Sequence, residues 1–266
     1  MGLYPEPPFD DAPPAPRPPV VRLPVPTYKP ICTQVMAVVL VLVWVATTVV
    51  GFLAGLGFWG SQDTRVLVAM GAKVNELIMA GQYWRLLTAN FLHIGIIHLG
   101  FNTYALLVLG TDMESRYGHG RFLALYLFAG LGGSVLSFMG NEAVAAGASG
   151  AIFGLLGAMI VYFLTYRDEF GSYGRQRLSS LVLVAAYNLL MGSVMPGIDN
   201  HGHIGGLLVG LILGWAYCPR YAVEAAYGVL PQLRDRYSRT RALVMTALVL
   251  AALALMVALR VRGGAQ

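Results

Sequence analysis

Apolar residues in this chain form long runs in which polar residues are rare. Each run has roughly the 17–25 residues that an α-helix needs to cross a hydrocarbon core. The runs cover about 34–58, 93–113, 120–139, 149–166, 179–195, 203–218 and 241–260. Hydrophobic residues make up 57% of the 266 residues and charged residues only 12%, about half the charged fraction of an ordinary soluble domain. The pattern predicts an all-α polytopic membrane protein with seven transmembrane helices.

Proline sets the N-terminal segment apart from the rest. Residues 1–30 hold most of the 14 prolines and show no apolar periodicity and no signal-peptide pattern. We therefore expect a disordered, partly polyproline cytoplasmic tail, followed by a first span that is retained. The remaining chain divides into a six-helix core at 31–218, a cytoplasmic linker at 219–240, and a seventh helix with a short outer tail at 241–266.

Positive charge predicts the orientation in the membrane. With the N-terminus inside, most of the 18 lysines and arginines fall on the inner side, where such residues are favoured. We expect a multi-pass protein of the cell membrane with a cytoplasmic N-terminus and an outer C-terminus. The net charge of +5 follows from this bias and indicates the lipid bilayer, not nucleic acid, as partner. Cys32 and Cys218 both fall at inner helix ends, where the reducing side disfavours a disulfide.

The first outer loop, at about 60–90, is too apolar to be fully solvated. We expect an interfacial, partly embedded structure with Tyr83 and Trp84 at the level of the lipid headgroups. Arg85 should extend to the headgroups or pair inside the loop. The sequence does not distinguish membrane anchoring from a role in substrate access.

A single serine stands where an apolar helix is predicted to begin. Ser149 follows a loop-like run at 140–147 and precedes Ile152–Tyr166, which carries no charge. The first turn of a helix offers unpaired N–H groups and the positive end of the helix dipole, and these stabilise a developing oxyanion. Serine is also a common helix cap, and the octapeptide at 146–153 fits both interpretations equally.

The second span opens with polar residues, which are costly in a membrane and usually face a cavity or the bundle interior. His98 and Asn102 are four residues apart and share one helix face. His93 lies nine residues before Asn102, about 180° away on a straight helix, so we place it at the junction of loop and helix. Two core histidines bonded to other helices would be the simpler explanation, but Asn102 beside His98 favours a convergent pair.

Glycines mark the faces through which the fourth and sixth helices should pack. On the fourth helix the small residues recur at helical spacing: Gly150, Gly154 and Gly157. On the sixth helix a histidine stands above a similar stripe: His203, Gly206 and Gly210. Such stripes let backbones approach closely, so packing between them would bring His203 to Ser149. We expect Gly214, farther down the sixth helix, to tolerate alanine.

The second, fourth and sixth helices all run from outside to inside. The polar residues lie near the outer end of one of these three: His93, His98, Asn102, Ser149 and His203. His119 is the one histidine on the inner side. This shared depth predicts a single polar cavity that opens towards the outside.

A serine and a histidine within hydrogen-bonding reach form a minimal nucleophile and general base. The expected oxyanion donors lie at the outer ends of the fourth and second helices: the backbone N–H groups of Ala148 and Ser149, and the side chains of His98 and Asn102. Phe153, one turn below Ser149, is placed to stack on His203. That contact would hold the imidazole in place of a third triad member.

Four short motifs combine these residues: Trp84-Arg85, His93…His98…Asn102, Gly147-Ala148-Ser149-Gly150, and Gly202-His203 with Gly206 and Gly210. Over about 34–218 the chain resembles the rhomboid intramembrane serine proteases. The resemblance implies a six-helix core with one added C-terminal helix, and a Ser-His dyad without a metal or another cofactor. It also implies that the substrates are transmembrane segments of membrane proteins, cut near the outer membrane face.

The same resemblance assigns roles to individual residues. Ser149 becomes the nucleophile and His203 the base, with His98 and Asn102 as oxyanion donors. The supporting residues are those of the surrounding motifs: Phe153, His93, Gly206, Gly210, Trp84 and Arg85. His201, two residues before His203, leaves the choice of base open.

Two other classes of protein are compatible with parts of the pattern. A metal-dependent hydrolase would use the four outer histidines as ligands: His93, His98, His201 and His203. Such a site needs a water-activating acid, and only Asp199 is near. A transporter would show repeated halves with broken helices, and the sequence contains no such repeat.

Overall fold

The computed structural model describes residues 23–224 and 231–264. Residues 23–30 have no helix or strand and lead into the first helix. The rest of the predicted disordered tail, 1–22, lies outside the described residues.

Helices dominate the described chain. The α-helices are α1 (Ile31–Gly51), α2 (Thr64–Met70), α3 (Asn75–Met79), α4 (Arg85–Thr88), α5 (Gly95–Ala105), α6 (Thr111–Tyr117), α7 (His119–Gly140), α8 (Ser149–Thr165), α9 (Gly171–Val194), α10 (Asn200–Tyr217) and α11 (Arg239–Gly263). A π-helical turn, Phe52–Leu56, and a 3-10 helix, Gly57–Gln62, extend α1. A second π-helical turn, Leu106–Gly110, joins α5 to α6.

Several of these helices can span a membrane. Within the described residues, 4 helical stretches are long and apolar enough, or up to 5 if a pair bent by 89° counts as one span. The four are Ile31–Gln62, α7, α9 and α11, and the bent pair is Arg85–Phe91 with Gly95–Tyr117. The apolar helix α8 is shorter, with 17 residues. The seven predicted stretches are all mainly helical, and the chain is a polytopic helical membrane protein as predicted.

Several helices begin earlier than the apolar pattern predicted, because their first turns contain few large apolar residues. Helix α10 begins at Asn200, since the Asp199 carboxylate accepts the Gly202 N–H at 3.1 Å and caps it. Helix α9 begins at Gly171, and its early residue Arg177 donates to Asp112 at 2.8 Å. A prediction from apolar runs does not detect a first turn that is polar.

A β-hairpin occupies much of the segment predicted as a plain linker, 219–240. Strands β1 (Tyr221–Glu224) and β2 (Gln232–Asp235) pair antiparallel. Asp235 fixes the hairpin to the bundle, because it accepts the Arg220 N–H at 2.8 Å and pairs with Arg121 at 2.7 Å. The sequence did not predict this element.

Helices α7, α8 and α10 pack against one another, because glycines let their backbones meet. A Cβ atom on Gly206 would overlap the carbonyl oxygen of Gly150, and one on Gly210 would overlap that of Gly154. Gly133 of α7 meets both helices, because its Cβ would lie 2.7 Å from the carbonyl oxygen of Gly202 and 3.2 Å from the Cα of Gly150. The three helices therefore pack backbone against backbone around the start of α8.

The close packing continues farther down α10 than expected. A Cβ on Gly214 would lie 2.6 Å from the Cα of Ala158. The expectation that Gly214 tolerates alanine is therefore wrong, because backbone atoms of α8 leave no space for the methyl group. The glycine stripe extends over the length of the contact between the two helices.

Arg85 holds the first outer loop together. The side chain is 5% exposed, and its guanidinium donates to the carbonyls of Val68 at 2.7 Å and Ala72 at 3.0 Å. The Trp84 ring lies 4.7 Å from the guanidinium carbon, while Tyr83 and Trp84 themselves are half exposed. Of the two alternatives, Arg85 thus pairs inside the loop.

We predict that Gly206→Ala lowers the stability of the bundle. The added methyl group meets the Gly150 backbone, which cannot rotate away, and such overpacking costs about 1–3 kcal/mol. Thermal unfolding in detergent measures the loss. Gly120→Ala on α7 is the matched control, because nothing lies within 4 Å of its Cβ position. Equal melting of the two variants would show that α8 and α10 do not pack through Gly206.

We predict that Arg85→Gln loosens the outer loop. The buried carbonyl of Ala72 loses its donor, which costs about 1–3 kcal/mol, while that of Val68 keeps the Gly71 N–H at 3.2 Å. The variant should therefore melt earlier and be cut faster by protease between α2 and α4. Arg65→Gln serves as control, since the Arg65 side chain is 77% exposed in its pair with Asp63. A loop as resistant in Arg85→Gln as in the parent would contradict this role.

Candidate active site

Ser149 is the first residue of α8, and the cap position before it belongs to Ala148. Ser149 is half-buried, and among the described residues its hydroxyl makes no hydrogen bond. This arrangement does not favour the capping interpretation, since an N-cap side chain would precede the helix and bond its N–H groups. The hydroxyl faces a cavity of about 770 Å³.

The turn before Ser149 requires glycine. Gly147 has φ of 145°, in the region that side chains rarely adopt. The His98 ring also lies against it, because a Cβ on Gly147 would be 2.7 Å from His98 Cε1 and 2.9 Å from Nε2. The backbone at this point therefore brings His98 close to the start of α8.

His203 lines the same cavity from α10. Its ring stacks on Phe153 with 4.3 Å between centroids and 10° between planes. Among the described residues its buried Nδ1 has no hydrogen-bond partner. The aromatic face of Phe153, not a carboxylate, thus sets the orientation of the imidazole.

The backbones beside Ser149 and His203 are in contact. A Cβ on Gly150 would lie 3.2 Å from the carbonyl oxygen of Gly202. The structure gives no hydrogen bond between the two side chains, both of which it describes. Catalytic hydrogen bonds are often long in a free enzyme and shorten with substrate.

His98 and Asn102 line the cavity from α5. His98 Nδ1 accepts the Ile94 N–H at 3.4 Å, which leaves Nε2 as the ring nitrogen that carries the proton. Asn102 Nδ2 donates to the carbonyl of His98 at 2.9 Å, and a side-chain amide has a second N–H to offer. The pair expected from the sequence therefore converges on the cavity.

His93 lies behind Ser149, in the turn before α5. It is fully buried, and its Nε2 accepts the Ala148 N–H at 3.4 Å. Its ring meets that of His98 edge to face at 5.3 Å. The Ala148 N–H was expected as an oxyanion donor, but it is engaged by His93, and Ala148 is not among the residues that line the cavity.

His201 lies apart from the other outer histidines. It is exposed and packs over Gly140 at the end of α7, where an added Cβ would overlap its ring. Within the described residues, the group of side chains able to share a metal ion consists of Cys32, Glu114 and His119. The four outer histidines named for a metal site do not converge.

A second, smaller cavity of about 40 Å³ lies on the other side of Ser149. Its polar lining includes residues that the sequence did not single out: Lys73, Asn90, Ser134 and Ser137. Lys73 is 1% exposed, and burial lowers the pKa of its ammonium group. The available indication in the sequence was the position of a lysine between two apolar parts of the outer loop.

Known proteins match this chain over its core. A family model, the Rhomboid domain, matches residues 80–220, more than half of the chain. Rhomboid protease GluP of Bacillus subtilis is 50% identical over 151 residues, covering 57% of this chain and 29% of that protein. RHOMBOID-like protein 2 of Arabidopsis thaliana is 38% identical over 202 residues, covering 74% of this chain and 63% of that protein.

The matched regions include the start of α8 and both histidine-bearing helices that meet it. The chain spans less than two thirds of the length of these relatives. On the match to the Rhomboid domain and on this arrangement of helices, the chain belongs to the rhomboid family.

Proposed function

We propose that the protein is an intramembrane serine endopeptidase that cuts transmembrane segments near the outer membrane face. The observation that carries the proposal is the contact between Gly150 and Gly202, each next to one member of the pair Ser149 and His203. Both side chains line one cavity. The relative named Rhomboid protease GluP supports the same reaction class.

In the first step Ser149 Oγ attacks the scissile carbonyl carbon while its proton moves to His203 Nε2. His203 then gives that proton to the leaving amine, and an ester between Ser149 and the substrate remains. In the second step His203 takes a proton from water as the water attacks the ester carbonyl carbon. His203 then gives that proton to Ser149 Oγ as the ester bond breaks, so that the carboxylic acid product leaves and the serine is restored. Stacking on Phe153 holds the ring through both steps.

The oxyanion of each step needs donors that are already in place. The backbone N–H of Ser149, the Nε2 proton of His98 and the second amide proton of Asn102 are available to it. The helix dipole of α8 adds favourable potential at the same point. Ala148 is not one of these oxyanion donors, because its N–H donates to His93 and so stabilises the turn before Ser149.

The large cavity suits a stretch of unfolded transmembrane segment. Apolar residues of α5 and α9 line it, among them Phe101 and Val184. Helix α9 packs loosely, with only 11% of its apolar window buried, so a substrate reaches the cavity between α5 and α9. The orientation predicted from the positive charges, with the N-terminus inside and the C-terminus outside, supports cleavage near the outer face, because this end of the bundle then lies there.

We expect Ser149→Ala and His203→Ala each to abolish cleavage, and the double variant to be no worse, because the two residues act as a unit. The assay is cleavage of a panel of single-span proteins in liposomes, with cut sites mapped by mass spectrometry. A chelator should leave the rate unchanged. His201→Ala is the control and should cleave like the parent; loss of cleavage there with activity retained in His203→Ala would assign the base to His201.

We expect Asn102→Ala and His98→Ala to lower kcat, since one lost oxyanion donor costs about 10²–10³ in rate. His98→Ala should be at least as severe, because its ring also packs on the turn before Ser149. Full kinetics in detergent separate kcat from KM. An unchanged kcat with a raised KM in both variants would make them substrate-binding residues.

A further inference from the structure

The segment that delivers Ser149 to the cavity, residues 141–148, is held by contacts from distant parts of the chain. We call it the nucleophile loop. Asn141, Ala143 and Ala145 of this loop line the large cavity together with Ser149. The position of the loop therefore affects both the nucleophile and the wall that a substrate would meet.

Lys73 of the outer loop provides the first anchor. Its backbone pairs with Ala145, with N···O distances of 2.9 and 3.1 Å. Its ammonium donates to the carbonyls of Asn141 and, at 2.9 Å, Ala143. The buried side chain of Lys73 thus holds the first part of the nucleophile loop, because it binds two carbonyl groups of that loop.

Asn75, two residues further, carries the connection to Glu142. Its Nδ2 donates to Glu142 Oε2 at 2.7 Å and to the Asn141 carbonyl at 3.2 Å. Asn75 is fully buried, so its position is set by the packing of α3. Glu142 Oε2 is thereby held in one orientation.

The other oxygen of Glu142 faces the C-terminal helix. Glu142 Oε1 accepts from Arg260, which lies in the last turn of α11. The pair joins residues 118 positions apart in the sequence. Helix α11 begins at the opposite end of the bundle, where Thr246 meets Tyr217 of α10 at 2.6 Å.

We propose that Arg260, acting through Glu142, is a positioning residue for the nucleophile loop. Through this pair, helix α11 sets the geometry of Ser149 without touching the cavity. The proposal rests on the proteolytic function proposed above. The carboxylate of Glu142 is the shared element, because one of its oxygens binds the outer loop and the other binds α11. A rotation of Glu142 towards water would release Asn75 and loosen the carbonyls that Lys73 also holds.

The pair is too exposed to serve mainly as a stabiliser of the fold. The side chains are 36% and 68% exposed, and ion pairs in such positions contribute little to global stability. Its effect is local, on the loop that Glu142 belongs to. Activity should therefore respond more strongly than the melting temperature.

The test measures cleavage kinetics and hydrogen exchange on purified full-length protein. We expect Arg260→Gln to lower kcat about tenfold, less than the 10²-fold that a 1 Å displacement can cost, with KM and the melting temperature unchanged. The amides of Ala145 and Gly147, bonded to Lys73 and Ala89, should exchange faster. Arg260→Lys, which keeps the charge, should restore both readouts.

Two further variants separate the pair from other effects. Glu142→Gln should match Arg260→Gln, and the double variant should be no worse, because both remove one interaction. Arg262→Gln is the matched control, since it removes an exposed charge from the same last turn of α11.

Parent kcat and parent exchange in Arg260→Gln would overturn the proposal, as would an equal loss in Arg262→Gln. Additive effects in the double variant would overturn it too. Hydrogen exchange also separates this proposal from the proteolytic function. If the parent cuts none of the substrates, the proposed function fails, and the exchange of Ala145 and Gly147 still decides whether Arg260 holds the loop.

Discussion

The direct contact between the backbones of α8 and α10 is the constraint on which the rest of the structure depends. Gly150 and Gly206 meet without an intervening side chain, and Gly154 and Gly210 do so one turn lower. In an apolar surrounding, helices gain little from burying apolar surface and associate through such close packing. The same contact that holds the bundle brings the residues on either side of it to one cavity.

Several polar groups at the ends of the bundle are satisfied by distant parts of the chain, since lipid offers no hydrogen bonds. Arg85 binds two carbonyls of the outer loop. At the opposite end the buried carboxylate of Glu114 accepts the N–H groups of Cys32 and Thr33 at 2.9 and 2.7 Å, and so caps α1. These hydrogen bonds stabilise a single conformation of the segments at the ends of the spans.

The candidate site combines side chains held by helix packing with a serine whose position depends on the loop before it. Phe153 and His203 lie on packed helices, so their stacking is fixed by the bundle. Ser149 follows a loop whose position depends on separate hydrogen bonds with Lys73, Asn75 and His93. The geometry between Ser149 and His203 is therefore sensitive to the outer loop as well as to the glycine stripe.

The sequence by itself determined the helical membrane class, the glycine faces, and the residues that gather at the cavity. These features follow from local properties: run length, helical spacing, and the cost of polar groups in a membrane. Spacing placed Phe153 below Ser149 and His98 above Asn102, and both pairs line the cavity. The β-hairpin was missed because its strands are short and are held by Asp235.

Only the tertiary structure decided which of these residues meet, because the deciding contacts join distant positions. The Ala148 N–H donates to His93, which lies 55 positions away in the sequence, and Glu142 accepts from Arg260, which lies 118 positions away. His201 and His203 are the same residue type and lie two positions apart, yet His201 packs over Gly140 and His203 stacks on Phe153. Helical spacing gives the direction of a side chain on its own helix, whereas its partner depends on how the helices pack.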